Sequence, residues 1–187
     1  MNIKKTVTKI WSTLHERDVL VRLDIFLIMY FGWIGFTFFY NLIQDYSKDF
    51  VPFLLKLPFT SKQFIIFLME STKDIPLLQP LLTIVYHFGF SGSIALTIFF
   101  ILVYWKDFES ADRLAFSYLL SYTLCGVIYS LGHVHAPHDV YGLKVFSVGS
   151  LTQEEFVLPS LHNTIATVNI VTLWIHREKR WAKILLV

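Results

Sequence analysis

The sequence predicts an all-α fold, a polytopic membrane helix bundle of about four transmembrane helices with interfacial helices beside them. Three observations carry this. Of the 187 residues 55% are hydrophobic and only 16% are charged, whereas a soluble domain is about half apolar and about a quarter charged. The mean hydropathy is +0.55, and it is concentrated in runs close to the roughly 20 residues that cross a bilayer. The basic residues are partitioned between the two ends of those runs as the positive-inside rule requires.

Residues 1–187 are expected to form a single membrane domain. Residues 1–22 alternate Lys with Ile3, Val7, Ile10, Trp11 and Leu14 at helical spacing, which fits a cytoplasmic amphipathic helix lying at the interface. A basic mitochondrial presequence is the rival reading, opposed by Glu16 and Asp18. No cleavable signal is expected, because the first apolar run starts late and is long. The spans are expected at about 23–43, 81–105, 114–131 and 161–180. The last is apolar only to Ile175, and its ends would be served by Trp174, Trp181 and snorkelling Lys and Arg. Residues 44–80 are apolar but broken by Pro52, Lys56, Pro58 and Lys62, and are read as interfacial segments. Residues 132–160 form the extracytoplasmic loop.

Charge decides between this arrangement and one with an extra span in 44–80. With four spans, Lys4, Lys5, Lys9, Arg17, Arg22, Lys106, Arg113, Arg177, Lys179, Arg180 and Lys183 share one side. Lys48, Lys56, Lys62, Lys73 and Lys144 take the other. A fifth span would move Lys106 and Arg113 and spoil the asymmetry, so the N-terminus is expected in the cytoplasm. The net charge of +2 is nearly balanced, and no nucleic-acid partner is expected. The one cysteine, Cys125, excludes an internal disulfide and reads as a buried structural thiol.

The residues that suit chemistry lie on the outward side. Pro159-Ser160-Leu161-His162 stands where a loop enters an apolar helix. Ser160 suits the N-cap. His162 falls in the first turn, whose free N–H groups carry partial positive charge and suit phosphate. The loop before it contains His133-Val134-His135-Ala136-Pro137-His138-Asp139. The plain alternatives are an ordinary helix cap and a solvated, kinked loop. Zinc or copper held by these histidines and Asp139 is another, though the spacing follows no standard signature. His87 reads as a packed histidine with no helical partner for a haem, and Asp112 and Arg113 read as a charged helix start.

Pro159-Ser160-Leu161-His162 resembles the second motif of the phosphatidic-acid phosphatase type 2 superfamily. Its Leu form is similar to the phosphotransferase branch that includes inositolphosphorylceramide synthase. Tyr129, Val134, Ala136 and Pro137 resemble the turn that precedes this motif in that branch. His133 and His138 stand where Pro, or Arg or Pro, is usual. The resemblance covers about residues 20–187. It implies a six-helix bundle of which four helices lie here, and a membrane enzyme acting on a lipid phosphate at the extracytoplasmic face. His162 would be the general acid. Ser160, His138 and His135 would bind the substrate phosphate. No metal and no cofactor is implied; the partners are a lipid phosphate and membrane lipids. The superfamily's third motif, Arg then His then Asp, has no counterpart after His162. The nucleophile is therefore expected from a further C-terminal segment or another subunit of an oligomer, and His176, at the opposite end of the helix, is not expected to supply it. The run 182–187 reads as the start of a further span. The alternative functions are a truncated, catalytically inactive relative or membrane subunit, and a histidine-based metal-binding membrane protein.

The topology is tested with Ser150→Cys and Lys179→Cys, each in a Cys125→Ala background. An impermeant reagent added to intact cells should label position 150 and spare position 179. Labelling of 179 instead would overturn the orientation.

Overall fold

The computed structural model describes residues 3–73, 75, 77–135, 140–143 and 160–186. They are mostly helical. In chain order the elements are α1 (Ile3–Leu14), α2 (Arg17–Ile43), β1 (Lys48–Asp49), α3 (Val51–Leu54), α4 (Lys62–Lys73), α5 (Leu78–Ile84), α6 (Phe90–Ile98), α7 (Phe108–Leu131), β2 (Gly132–His133), α8 (Leu161–Ile175) and α9 (Arg180–Leu185). Wide π-helical turns occupy Val85–Gly89 and Phe99–Tyr104, on either side of α6.

Two helices, α2 and α7, are long and apolar enough to cross a membrane. Their 27 and 24 residues correspond to about 40 and 36 Å at 1.5 Å per residue, against a hydrocarbon core of about 30 Å. Ile28, Phe31, Phe38 and Leu42 of α2 are all exposed. Of the other two expected spans, the second is helical throughout 78–104, its winding widened to π-helical at Val85–Gly89 and Phe99–Tyr104. The fourth is the 15-residue α8, about 22 Å long, which ends in a turn at His176 before α9 begins. The amphipathic segment is also shorter than 1–22: α1 stops at Leu14, and the helix that continues into the first span begins at Arg17. Beside the helices stands one short parallel pairing. β1 and β2 pair Lys48 with Gly132 and Asp49 with His133, so the segment 132–160 opens with strand rather than loop.

The chain divides into two compact units. Unit 1 comprises 1–33, 91–122 and 162–187. Its core includes Val19, Ile101, Leu102, Leu114, Ile165 and Ala182. Several polar side chains inside it are paired. The Tyr118 hydroxyl donates to Asn169 Oδ1, and Asn169 Nδ2 reaches Ser93 Oγ at 3.4 Å. Hydroxyls of Thr97, Ser117, Ser121, Thr167 and Thr172 donate to the carbonyl four residues earlier at 2.7–2.8 Å, which lets an apolar helix carry them without an unmet donor. Arg22 of α2 grips Asp112 of α7 with Nε and Nη2, at 2.7 and 2.8 Å.

The junction before α7 is the most ordered polar feature of unit 1. Lys106 takes a left-handed φ of 53°, and the Asp107 N–H reaches back to the Ile101 carbonyl at 2.9 Å. Asp107 caps α7, accepting from the Ser110 N–H at 3.1 Å and the Ser110 hydroxyl at 3.0 Å. Its Oδ2 lies 2.7 Å from His176 Nε2. His176 is buried, its Nδ1 lies 3.0 Å from the Thr172 carbonyl, and its ring stacks on Trp105 at 5.0 Å. Both ring nitrogens face oxygen atoms of the protein.

Unit 2 comprises 34–90 and 123–161. Tyr40, Val51, Leu54, Cys125, Tyr129 and Leu161 are buried in it, and the ring of Phe36 lies over Gly126. Thr60 ties a turn together, its hydroxyl reaching the carbonyls of Leu54 and Leu57 at 2.6 and 2.8 Å. Its own carbonyl accepts from the Tyr141 hydroxyl at 2.9 Å.

Burial acts to raise the pKa of Asp107, but the hydrogen bonds from His176 and Ser110 outweigh it and hold the carboxyl below its ordinary value of 3.8. A depressed carboxyl stabilises the fold above the unfolded-state pKa, and this contribution is lost as pH falls through the lower folded value. Asp107→Asn should destabilise the protein by about 1–3 kcal/mol, read as a lower melting midpoint in detergent at neutral pH. The gap between variant and wild type should close below pH 3.8; a gap that persists there contradicts the assignment.

Candidate functional site

The β1–β2 pairing of unit 2 gathers polar and titratable groups from 47–49 and 133–135. Ser47 Oγ lies 2.6 Å from His133 Nδ1. Asp49 Oδ1 is 4.0 Å from His133 Nε2, within ion-pair range but beyond hydrogen bonding. That same oxygen accepts from the Val51 N–H at 2.8 Å and fixes the start of α3. The Phe50 N–H donates to the His133 carbonyl at 3.0 Å, extending the backbone tie by one residue. Strand alternation turns Val134 inward, where it is buried. His133 and His135 are half-buried on either side of it. Their rings stand edge to face, 5.7 Å apart.

Gly132 makes this pairing possible. A Cβ there would fall inside the Phe50 ring and 3.2 Å from the Lys48 carbonyl oxygen. Beside β1 runs a shallow, open groove lined by Lys48, Asp49, Phe50, Pro52, Phe53 and Lys56. The Lys48 ammonium lies over the Phe50 ring, 5.4 Å from its centre. Two amines on an apolar wall suit an anionic amphiphile.

Of the residues singled out in the sequence, His135 is therefore placed with His133, together with Ser47 and Asp49. His138 lies outside the described residues. Ser160 is half-buried in the turn that precedes α8, and His162 is half-buried in its first turn, as the sequence predicts. The buried Tyr129 hydroxyl is hydrogen-bonded to the backbone of Leu161 and to Cys125, so α7 already engages the backbone at the start of α8. His162 belongs to unit 1, and its expected proximity to His135 is a relation between units. Among the described residues no group of three or more His, Cys, Asp or Glu is placed to hold a metal ion. The side chain of His87 lies outside the description.

Sequence reasoning missed Ser47 and Asp49. Each is an ordinary polar residue in a turn, and only the parallel pairing brings them to His133. It also left the Asp107–His176 contact unseen. The Asp-x-x-Ser pattern of 107–110 is a readable helix cap, but its partner lies 69 residues away.

The comparisons with known proteins are few. No family model and no solved structure matches this chain. It is similar to an uncharacterized protein of Methanocaldococcus jannaschii, with 31% identity over 153 residues, covering 79% of this chain and 61% of that protein. The chain thus spans about three-fifths of the length of the curated relative it matches.

Gly132→Ala should push Phe50 aside and loosen the β1–β2 pairing, with about 1–3 kcal/mol of lost stability, typical of overpacking. The Phe50 amide, bonded to the His133 carbonyl, should lose protection from hydrogen exchange. Gly126→Ala, whose Cβ would meet Phe36 at an ordinary 3.5 Å, should leave that amide protected. Equal behaviour of the two variants would contradict the role given to Gly132.

Proposed function

We propose that the protein is a multi-pass membrane enzyme, a lipid phosphatase or phosphotransferase, with a cytoplasmic N-terminus. It acts on a lipid phosphate at the extracytoplasmic face. The observation that carries this reading is the position of His162 in the first turn of an apolar helix, directly after Ser160. An imidazole there sits beside backbone N–H groups that favour an anion.

In this mechanism the phosphate is held by Ser160 and by N–H groups of the first turn of α8. His162 gives a proton to the leaving oxygen of the lipid as the bond to phosphorus breaks and the phosphoryl group passes to water or to an alcohol acceptor. His176, buried against Asp107 and Trp105, serves the fold and takes no part in the chemistry.

The test is phosphate release from phosphatidic acid in native membranes overproducing the protein. His162→Ala should lower the added activity by about 10²–10⁴, the usual worth of a general acid, at unchanged protein level. Thr167→Ala, on an exposed face of the same helix, should leave it within about two-fold of wild type, as for most surface changes. Equal losses from both variants would refute the assignment of His162, and no added activity from the wild type would refute the enzyme.

A further inference from the structure

The far end of unit 1 carries an apolar and basic surface that the reading above does not use. Helix α1 packs on the turn Phe99–Tyr104. Thr13 is buried on its inner side, and the residue pair beyond its end is locked by Lys106 Nζ to Glu16, at 2.5 and 2.7 Å. Its outer edge is thereby fixed, and Val7 and Trp11, one turn apart, are 59% and 65% exposed. The Trp11 ring is braced by His15 at 4.8 Å.

The same turn seats the other end of the chain. Trp181 of α9 stacks on Phe100 at 5.4 Å, and Ile184, three residues on, is 52% exposed. Cations flank both apolar edges. Lys4, Lys5 and Lys9 lie on α1, and Arg180 and Lys183 lie on α9. Neither helix contains a carboxylate, and Glu16 is occupied by Lys106. Exposed apolar side chains beside the exposed cations Lys9, Arg180 and Lys183, on helices held in place from behind, match one kind of partner. It is a layer with anionic head groups over hydrocarbon.

We propose that α1 and α9 together form an anionic-lipid docking surface, which lays Val7, Trp11 and Ile184 into the head-group boundary and sets Lys9, Arg180 and Lys183 against lipid phosphates. The surface is independent of the chemistry assigned to His162 and needs no substrate to be occupied.

The test uses the full chain in nanodiscs of phosphatidylcholine, alone or mixed with phosphatidylglycerol. Val7→Cys in a Cys125→Ala background carries an environment-sensitive fluorophore. In mixed discs the label should shift to the blue and lose most of its quenching by aqueous iodide. In phosphatidylcholine alone it should remain open to iodide. Removing single charges by Lys9→Gln or Lys183→Gln should weaken the docked population about five-fold each, and raised salt should act the same way. Lys62→Gln, in unit 2, should have no effect, and the helical circular dichroism should be unchanged throughout. Equal exposure of the label in the two kinds of disc would overturn the proposal. So would shielding that grows with protein concentration at fixed lipid, which would assign the surface to a second copy.

Discussion

Polar groups carried on apolar helices must find their partners inside the protein, and much of this structure follows from that constraint. Hydroxyls on α7 and α8 turn back to their own helices. Groups too large or too polar for that solution reach across to a neighbour. Asn169 is met by Tyr118 and Ser93, and His176 by Asp107. In each case a polar side chain inside unit 1 fixes which face of α8 points inward. Leu161, Ile165, Asn169 and Leu173 form one buried stripe on that helix, and His176 follows in the turn after it. A uniformly apolar stripe would leave the rotation of α8 weakly specified; Asn169 and His176, each with its own polar partners, specify it.

The same logic explains which parts of the fold were legible in the sequence. The helix class and the positions of α2 and α7 follow from unbroken apolar runs without proline, and those two have the length to cross a bilayer. The start of α8 was readable because Pro159-Ser160 is a strong local signal. What composition could not show is where a long apolar run changes its winding. The π-helical turns at Val85–Gly89 and Phe99–Tyr104 arise in stretches with no proline, so hydropathy finds the helical run but not its two changes of winding. The break after Leu14 was hidden in the same way, because His15 and Glu16 are compatible with helix.

The site was legible to a different degree. His135 and His162 were found because histidine next to a turn is conspicuous in an apolar chain. The residues that organise His133 were not found, because Ser47 lies 86 positions away in sequence and meets it through a two-residue parallel pairing. Parallel pairing needs a long crossover and leaves no local hairpin signal. The one glycine that admits it, Gly132, reads in sequence simply as the end of a helix. The candidate residues are thus placed at two ranges. A local signal places His162 in the first turn of α8, and a distant backbone match builds the surroundings of His133 and His135.

Lys106 shows how a strained residue can be worth retaining. A left-handed φ on a residue with a Cβ costs about 1–2 kcal/mol, and glycine would remove that cost. Glycine would also remove the ammonium that reaches Glu16. The position therefore sits between two demands, one on the main chain and one on the side chain, and no residue meets both in full. Substitution here is a trade between conformational ease and cross-linking: asparagine would accept the backbone angle more readily but fall short of Glu16, whereas arginine would keep the reach and the strain together. Drift at this site should accordingly be coupled to drift at position 16, making the pair a readable signature of this junction wherever it recurs.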